Sequence, residues 1–242
     1  MSCSSIMRLS KCERNVMAIG DLHEPFAHPD APDFLDWIRK KFKPDTFVCL
    51  GDEIDGHAMS NYESDPDGFS PGMELDAAIQ KLRTYYQMFP RMHVCTSNHT
   101  ARPFRKAFSS GIPARVLKGY REILDAPPGW EWRDQWRIDG VAYEHGEGQL
   151  GQNAAMRAAD GNMCPTVIGH IHSFAGIQYN ANAETLYWGF NVGCLINRDA
   201  YSFRYGKHFK RKPIIGCGLV ERGVPRFVPM LLDRRGRWIK RS

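Results

Sequence analysis

The sequence predicts one large α/β domain built on a parallel sheet. Three observations carry this. Over the first hundred residues, short apolar runs alternate with segments of helical period. The apolar runs stop abruptly, at a glycine, a carboxylate, an asparagine or a histidine. The chain has 242 residues, 43% of them hydrophobic and 24% charged, which is a globular composition at a length that can bury a substantial core.

Residues 1–14 are polar and are expected to be loose. Asn15 to Gly20 reads as the first strand and runs into Asp21-Leu22-His23. Pro32 to Phe42 is helical, because Phe34, Ile38 and Phe42 recur at spacings of four, and Pro44 stops it. The next apolar run, from Phe47, stops at Gly51 with Asp52 immediately beyond it. Residues 57–69 are loop by composition. Ser70 and Pro71 suit the cap and first position of a helix, with Leu75, Ile79, Leu82, Tyr86 and Phe89 on one face and Pro90 at its end. Met92 to Cys95 is a third strand, running into Thr96-Ser97-Asn98-His99. The order β-α-β-α-β implies parallel strands joined by crossover helices.

Residues 101–124 read as a helix in two pieces, broken near Gly111-Ile112-Pro113. Ala126 to Gly129 is a turn, and Gln135 to Glu144 is a hairpin with Asp139-Gly140 at its tip and His145 at its end. Gln149 to Asp160 reads as a helix of small residues. Thr166 to Ile168 is a short strand ending at Gly169-His170-Ile171-His172. Extended segments follow near 174–180 and 186–196, then a hairpin over 214–220 and 224–230. The expected organisation is a main domain over 15–200 with a basic extension, 201–242, packed on it. Trp130, Trp132 and Trp136 are read as packing residues rather than platforms for bases.

The net charge of +5 is unevenly spread. Residues 201–242 hold 12 Lys and Arg against only Glu221 and Asp233, so the remainder of the chain is acidic. A basic tail on an acidic body points to a polyanionic partner such as nucleic acid, or to a solubilising surface. The seven cysteines include no C-x-x-C pair, and Cys49 and Cys95 lie in apolar runs, so reduced thiols are expected. No apolar run reaches the length of a membrane span, and residues 1–11 lack the apolar centre of a signal peptide. The cytoplasm is the expected location, with no membrane partner.

In open α/β sheets, functional groups gather just beyond the carboxyl ends of strands. Five apolar runs of this chain end at candidate metal ligands: Asp21 with His23, Asp52, Asn98 with His99, His145, and His170 with His172. Five of the nine histidines fall at these points, which a random scatter would not produce. Carboxylate, imidazole and amide oxygen suit Mn, Fe or Zn, and the lack of cysteine ligands argues against a structural zinc site. Eight such residues are too many for one tetrahedral ion. With Asp52 shared and His99 set aside, the other seven give four ligands to each of two divalent ions, roughly 3.5–4 Å apart, able to clamp a phosphoryl group. Mn is the first expectation, with Fe or Zn as alternatives.

The blocks Asp21-Leu22-His23, Gly51-Asp52-Glu53-Ile54-Asp55, Asn98-His99, Glu144-His145-Gly146 and Gly169-His170-Ile171-His172 stand in the order D-x-H, G-D-x-x-D, N-H, H and G-H-x-H. In this the chain resembles the calcineurin-like metallophosphoesterases, over residues 15–196. The resemblance implies a four-layer α/β/β/α sandwich with a dimetal site on one edge. It implies one metal on Asp21, His23, Asp52 and His172, and the other on Asp52, Asn98, His145 and His170. It makes His99 the catalytic histidine, stabilising the transition state or protonating the leaving oxygen, while hydroxide held by the metals attacks phosphorus in line. The third block departs from the family's G-N-H-E/D: Ser97 and Thr100 stand in place of the glycine and the acid. That removes an expected partner of His99.

Asp55 is expected to orient a ligand or brace its loop rather than bind metal. Arg102 and Arg105, three apart after His99, share a helix face and could reach substrate phosphate, with a solvated face as the alternative. His57 is a further candidate substrate contact. The sequence therefore reads as a dimetal phosphoesterase, first a phosphodiesterase or nuclease acting on nucleic acid. The alternatives are a phosphomonoesterase and a non-catalytic nucleic-acid-binding protein with a relic metal site.

Overall fold

The computed structural model describes residues 13–60, 67–181, 183, 185–200 and 210–240. The expectations for residues 1–12, for 61–66 of the loop and for 201–209 of the basic tail lie outside them. The strand β1 (Asn15–Ile19) leads to helix α1 (Ala31–Phe42) and strand β2 (Thr46–Cys49). Lys43, left-handed at φ 48°, returns its N–H to Arg39, and Pro44 follows, which ends α1 where the sequence predicts. Helix α2 (Pro71–Met88) starts as expected: Ser70 Oγ accepts from the Met73 N–H at 3.4 Å. Strand β3 (Met92–Cys95) completes the β-α-β-α-β series.

Six strands form the first sheet, which adds β4 (Trp130–Arg133) and the C-terminal hairpin β10 (Gly216–Glu221) and β11 (Val224–Pro229) in the order β11-β10-β1-β2-β3-β4. Strands β1 to β4 run parallel, and β10 pairs antiparallel with β1. The hairpin is thus a structural part of this sheet. The second sheet consists of β5 (Gln135–Ile138), β6 (Val141–Glu144), β7 (Thr166–Ile168), β8 (Gly176–Ala181) and β9 (Leu186–Asn191), in the order β5-β6-β7-β9-β8. Its centre, β6-β7-β9, is parallel.

The period-two alternation of each strand sorts its side chains between two cores. Met17, Ile19, Cys49 and Val94 pack beneath α1 and α2 with Phe34, Ile38, Leu82 and Tyr85. Val16, Ala18, Val48 and Leu50 face the other way and meet Tyr143, Val167, Trp188 and Phe190 of the second sheet. Helix α5 (Ala154–Asn162) covers the far side of that sheet through Ala154, Ala155 and Ala158 against Ile168. A Cβ at Gly189 would lie 2.3 Å from the Ala155 backbone, so α5 approaches the sheet only because position 189 has none. The result is the four-layer α/β/β/α sandwich.

Three elements differ from the sequence reading. Helix α5 starts at Ala154 rather than Gln149, because Gly151 is left-handed at φ +71° and cannot sit within a right-handed helix. The second helical piece of 101–124 is a 3-10 turn at Ala114–Val116 and one short helix, α4 (Tyr120–Ile123), following α3 (Arg102–Ser109). The sequence reading has no counterpart to β4, whose Trp130 is buried in the helix-side core while Glu131 is exposed.

Candidate metal centre

The carboxyl ends of β1, β2 and β3 in one sheet and of β6 and β7 in the other lie on a single edge of the sandwich. The loops leaving them are tied together by backbone hydrogen bonds: His23 N–H to Asp52 O at 2.8 Å, and Gly169 N–H to His145 O at 3.1 Å. The local backbone is unusual. Asp21, His23, Asp52 and His170 all have positive φ, between 38° and 65°. Non-glycine residues rarely adopt this region, and it concentrates where surrounding structure holds functional groups in place.

Atoms of Asp21, His23, Asp52 and His172 come within 4.8 Å of one another, and so do those of Asp52, His145 and His170. Asp52 belongs to both groups. Its Oδ2 stands 3.4 Å from His23 Nε2 and 3.4 Å from His145 Nε2. Asn98 Oδ1 lies 2.8 Å from His145 Nε2, and His170 Nδ1 lies 3.1 Å from the same nitrogen. His23 Nε2 and His172 Nε2 are 3.2 Å apart. All seven residues named as ligands from sequence are brought together. Glu144 and Glu147, adjacent to His145, point elsewhere: Glu144 bonds Gln135 and Asn162, and Glu147 pairs with Arg105.

The chemistry of the cluster fits cations. Both oxygens of Asp21 are buried and accept no hydrogen bond, with His172 Nε2 3.1 Å from Oδ2. A buried carboxylate is costly unless a positive charge offsets it. His145 Nδ1, 2.9 Å from the Leu50 carbonyl, can donate to it. With the proton there, Nε2 turns a lone pair toward Asn98 Oδ1, His170 Nδ1 and Asp52 Oδ2. Burial is the largest influence on Asp52 and pushes its carboxyl up. The His145, His99 and His23 imidazoles outweigh it and hold the group well below the usual carboxylate range. Burial, then His99, lowers the His23 imidazole, and burial, then His145, lowers that of His170. Both shifts favour neutral rings with a free lone pair.

Two glycines are steric requirements of the site. Gly51 sits at φ +98°, and a Cβ there would lie 2.5 Å from Ser97 Cβ and 3.1 Å from His145 Nδ1. A Cβ at Gly169 would lie 2.5 Å from Asp21 Oδ1.

His99 lies beside the cluster, with Nε2 4.0 Å from Asp52 Oδ2 and its ring 4.4 Å from that of His23. Its Nδ1 faces the Asp55 carbonyl at 2.8 Å and Oδ1 at 3.1 Å. Asp55 thus supplies the acidic partner that the sequence reading held to be missing after His99. Burial lowers the His99 imidazole, but Asp52 and the hydrogen bond that His99 donates to Asp55 prevail and raise it. Arg102 donates to the Asp55 carbonyl at 2.8 Å, and its Nη2 is 3.2 Å from His99 Nε2. Arg105 is exposed and paired with Glu147. His57 opens a 3-10 turn whose His57 and Ala58 N–H groups donate to Glu74 of α2, each at 2.7 Å.

One network escaped the sequence reading. The Asp52 N–H donates to Ser97 Oγ at 2.8 Å, Ser97 Oγ to Thr100 Oγ1 at 3.1 Å, and Thr100 Oγ1 to Glu53 Oε2 at 2.9 Å. Trp132 Nε1 closes the chain on Glu53 Oε1 at 2.8 Å. The two departures from the family pattern, Ser97 and Thr100, are links in this buried chain behind Asp52, and Glu53 holds its acid. The signal was present in the sequence as an acid directly after Asp52 where the third block lacks one.

A two-sheet α/β sandwich with a His/Asp cluster on one edge defines the class. The family model described as calcineurin-like phosphoesterase matches residues 14–184, and the chain belongs to that family. Similar solved structures include YfcE, described as a phosphoesterase from E. coli, at 14% identity and a TM-score of 0.46, covering 93% of this chain and 97% of that one. Another is Vps29 from Entamoeba histolytica, described as complexed with Zn2+, at 17% identity and a TM-score of 0.39, covering 86% and 85%. Vacuolar Protein Sorting 29 from Cryptosporidium parvum gives 12% identity and a TM-score of 0.42, covering 85% and 83%. No curated protein matches the sequence. No helix among the described residues is long and apolar enough to cross a membrane.

Proposed function

We propose that the chain is a two-metal phosphodiesterase that cleaves nucleic acid. The observation that carries this is Asp52, whose Oδ2 is equidistant from His23 and His145 and so stands where a bridging carboxylate would. Asp21, His23, Asp52 and His172 would hold one divalent cation, and Asp52, Asn98, His145 and His170 the other. Mn is the preferred occupant, and Fe or Zn suit the same donors. Such a pair supplies Lewis-acid polarisation of a phosphoryl oxygen and activation of water at neutral pH.

The protein's own groups do the rest. Asp55 fixes the His99 ring from one side, and Arg102 Nη2 meets Nε2 at 3.2 Å on the other, so Nε2 serves the leaving oxygen as a proton donor once Arg102 turns to the substrate phosphate. Arg102 lies against His99 and is the nearest candidate for a phosphate contact, with Arg105 and His57 further out. The charge of residues 201–242 supports a polyanionic substrate. Within it, Arg237 is committed to Asp30. The five described cysteines are free, which supports a reducing compartment such as the cytoplasm.

The test is turnover of metal-stripped protein reconstituted with Mn, on a small phosphomonoester, a small phosphodiester and an oligonucleotide in parallel. Hydrolysis of both diesters is expected. His99→Ala should keep both metals and lose roughly 10²–10⁴ in turnover. Loss of metal in that variant would make His99 a ligand. Hydrolysis of the monoester alone would replace this reading with a phosphatase.

A further inference from the structure

Residues 101–121, the first part of the connection from His99 to β4, carry Arg102, Arg105, Lys106, Arg115, Lys118 and Arg121 with no acidic residue, and Glu122 and Asp125 follow. Only Ala107 of this segment is buried. Lys106, Arg115, Lys118 and Arg121 make no ion pair with any described residue, whereas Arg105 pairs with Glu147. Three large apolar side chains stand exposed among these cations, Phe108 at 86%, Val116 at 63% and Ile112 at 43%, and only Phe108 is aromatic. The ridge starts at the candidate metal centre, since Arg102, the first residue of α3, touches both Asp55 and His99. From there α3 rises about 9 Å to Phe108.

We infer that residues 101–121 form a landing ridge for single-stranded nucleic acid leading into the metal centre. Cations with no ion pair to a described residue, on the same exposed segment as an aromatic ring, match the two features of such a strand, a row of phosphates and base faces free to stack. A duplex offers the phosphates but keeps its base faces covered, so Phe108 selects for the single strand. The inference rests on the phosphodiesterase reading for its purpose, while the binding it predicts can be measured without turnover.

The experiment is fluorescence anisotropy of a labelled single-stranded oligonucleotide with metal-stripped full-length protein over a salt series. Lys106→Glu/Lys118→Glu should weaken binding at least tenfold at low salt. It should also flatten the slope of log K against log salt by about 1.4, or about 0.7 for each phosphate no longer neutralised. Phe108→Ala should weaken single-strand binding by about fivefold or more, with little effect on a duplex of the same sequence. Lys81→Glu/Arg83→Glu on exposed positions of α2 makes the same charge change elsewhere and should stay within twofold of the parent. The inference is overturned if the ridge variant stays within twofold, if the α2 variant weakens binding equally, or if an acidic peptide of matched charge displaces the oligonucleotide as well as unlabelled oligonucleotide does. Failure of the phosphodiesterase reading shows separately, as no turnover of a small diester, and leaves the binding result standing.

Discussion

Gly169→Ala separates the two metal positions with one methyl group. The new Cβ would lie 2.5 Å from Asp21 Oδ1, whereas ordinary contact begins near 3.4 Å, so the carboxylate must retreat by about 0.9 Å. Asp21 is fully buried, and its backbone carbonyl is held by the Leu195 N–H at 3.0 Å, so the side chain has little room to retreat while keeping its aim. Misplaced ligand geometry of this kind costs ten- to hundredfold in metal affinity, which is about 1.4–2.8 kcal/mol. Overpacking adds about 1–3 kcal/mol of lost fold stability. The position built on Asp21, His23 and His172 should suffer most. The other draws on Asn98 and His145, neither among the three atoms nearest the methyl, and on His170, the next residue in the chain. Calorimetric titration of the stripped protein with Mn should show one weakened site and one parental site, with circular dichroism confirming the fold. Two parental affinities, or both lost together, would refute the assignment of Asp21 to one position only.

Thr100→Val deletes the donor to Glu53 Oε2 and the acceptor of Ser97, so it should cost about 1–3 kcal/mol in urea unfolding, with Thr100→Ser restoring most of it. A parental midpoint for the valine variant would show the buried chain to be dispensable. The Asp30 carboxyl is held below its usual range, first by the hydrogen bond from Arg237 and against the opposing effect of burial. Its contribution to stability is therefore complete above the unfolded value near 3.9 and lost as pH falls through the lower folded value. The difference in Tm between parent and Arg237→Gln should be largest at neutral pH and shrink in acid. A gap that widens in acid would contradict this.

The clustering of these side chains was legible because strands buried on both faces read as unbroken apolar runs, and the residue that breaks each run is the one at the sheet edge. That logic reached Asp21, Asp52, Asn98, His145 and His170 without any knowledge of how the strands are ordered. It failed at β4, where Trp130-Glu131-Trp132-Arg133 alternates as a sheet-edge strand and offers no apolar run. The C-terminal hairpin was legible from its turn, but its insertion beside β1 was not. Cys217 Sγ meets the Ala18 carbonyl at 3.2 Å across 199 residues of chain, an approach no local pattern encodes. The insertion has a practical consequence, because removing residues 201–242 would strip two strands from the first sheet, so the tail must be probed by substitution. The network through Ser97, Thr100 and Glu53 was hidden for a related reason. Its acid, Glu53, lies in the second block and its hydroxyls in the third, and only the fold brings those blocks into contact.

The bridging role proposed for Asp52 would be probed by metal content and phosphodiester turnover of parent and Asp52→Asn, prepared and reconstituted with Mn side by side. Two ions and measurable diester hydrolysis are expected in the parent, with reduced metal content and no turnover in the variant. A parent that holds two ions but hydrolyses no ester, or a variant that keeps both ions and full turnover, would contradict it.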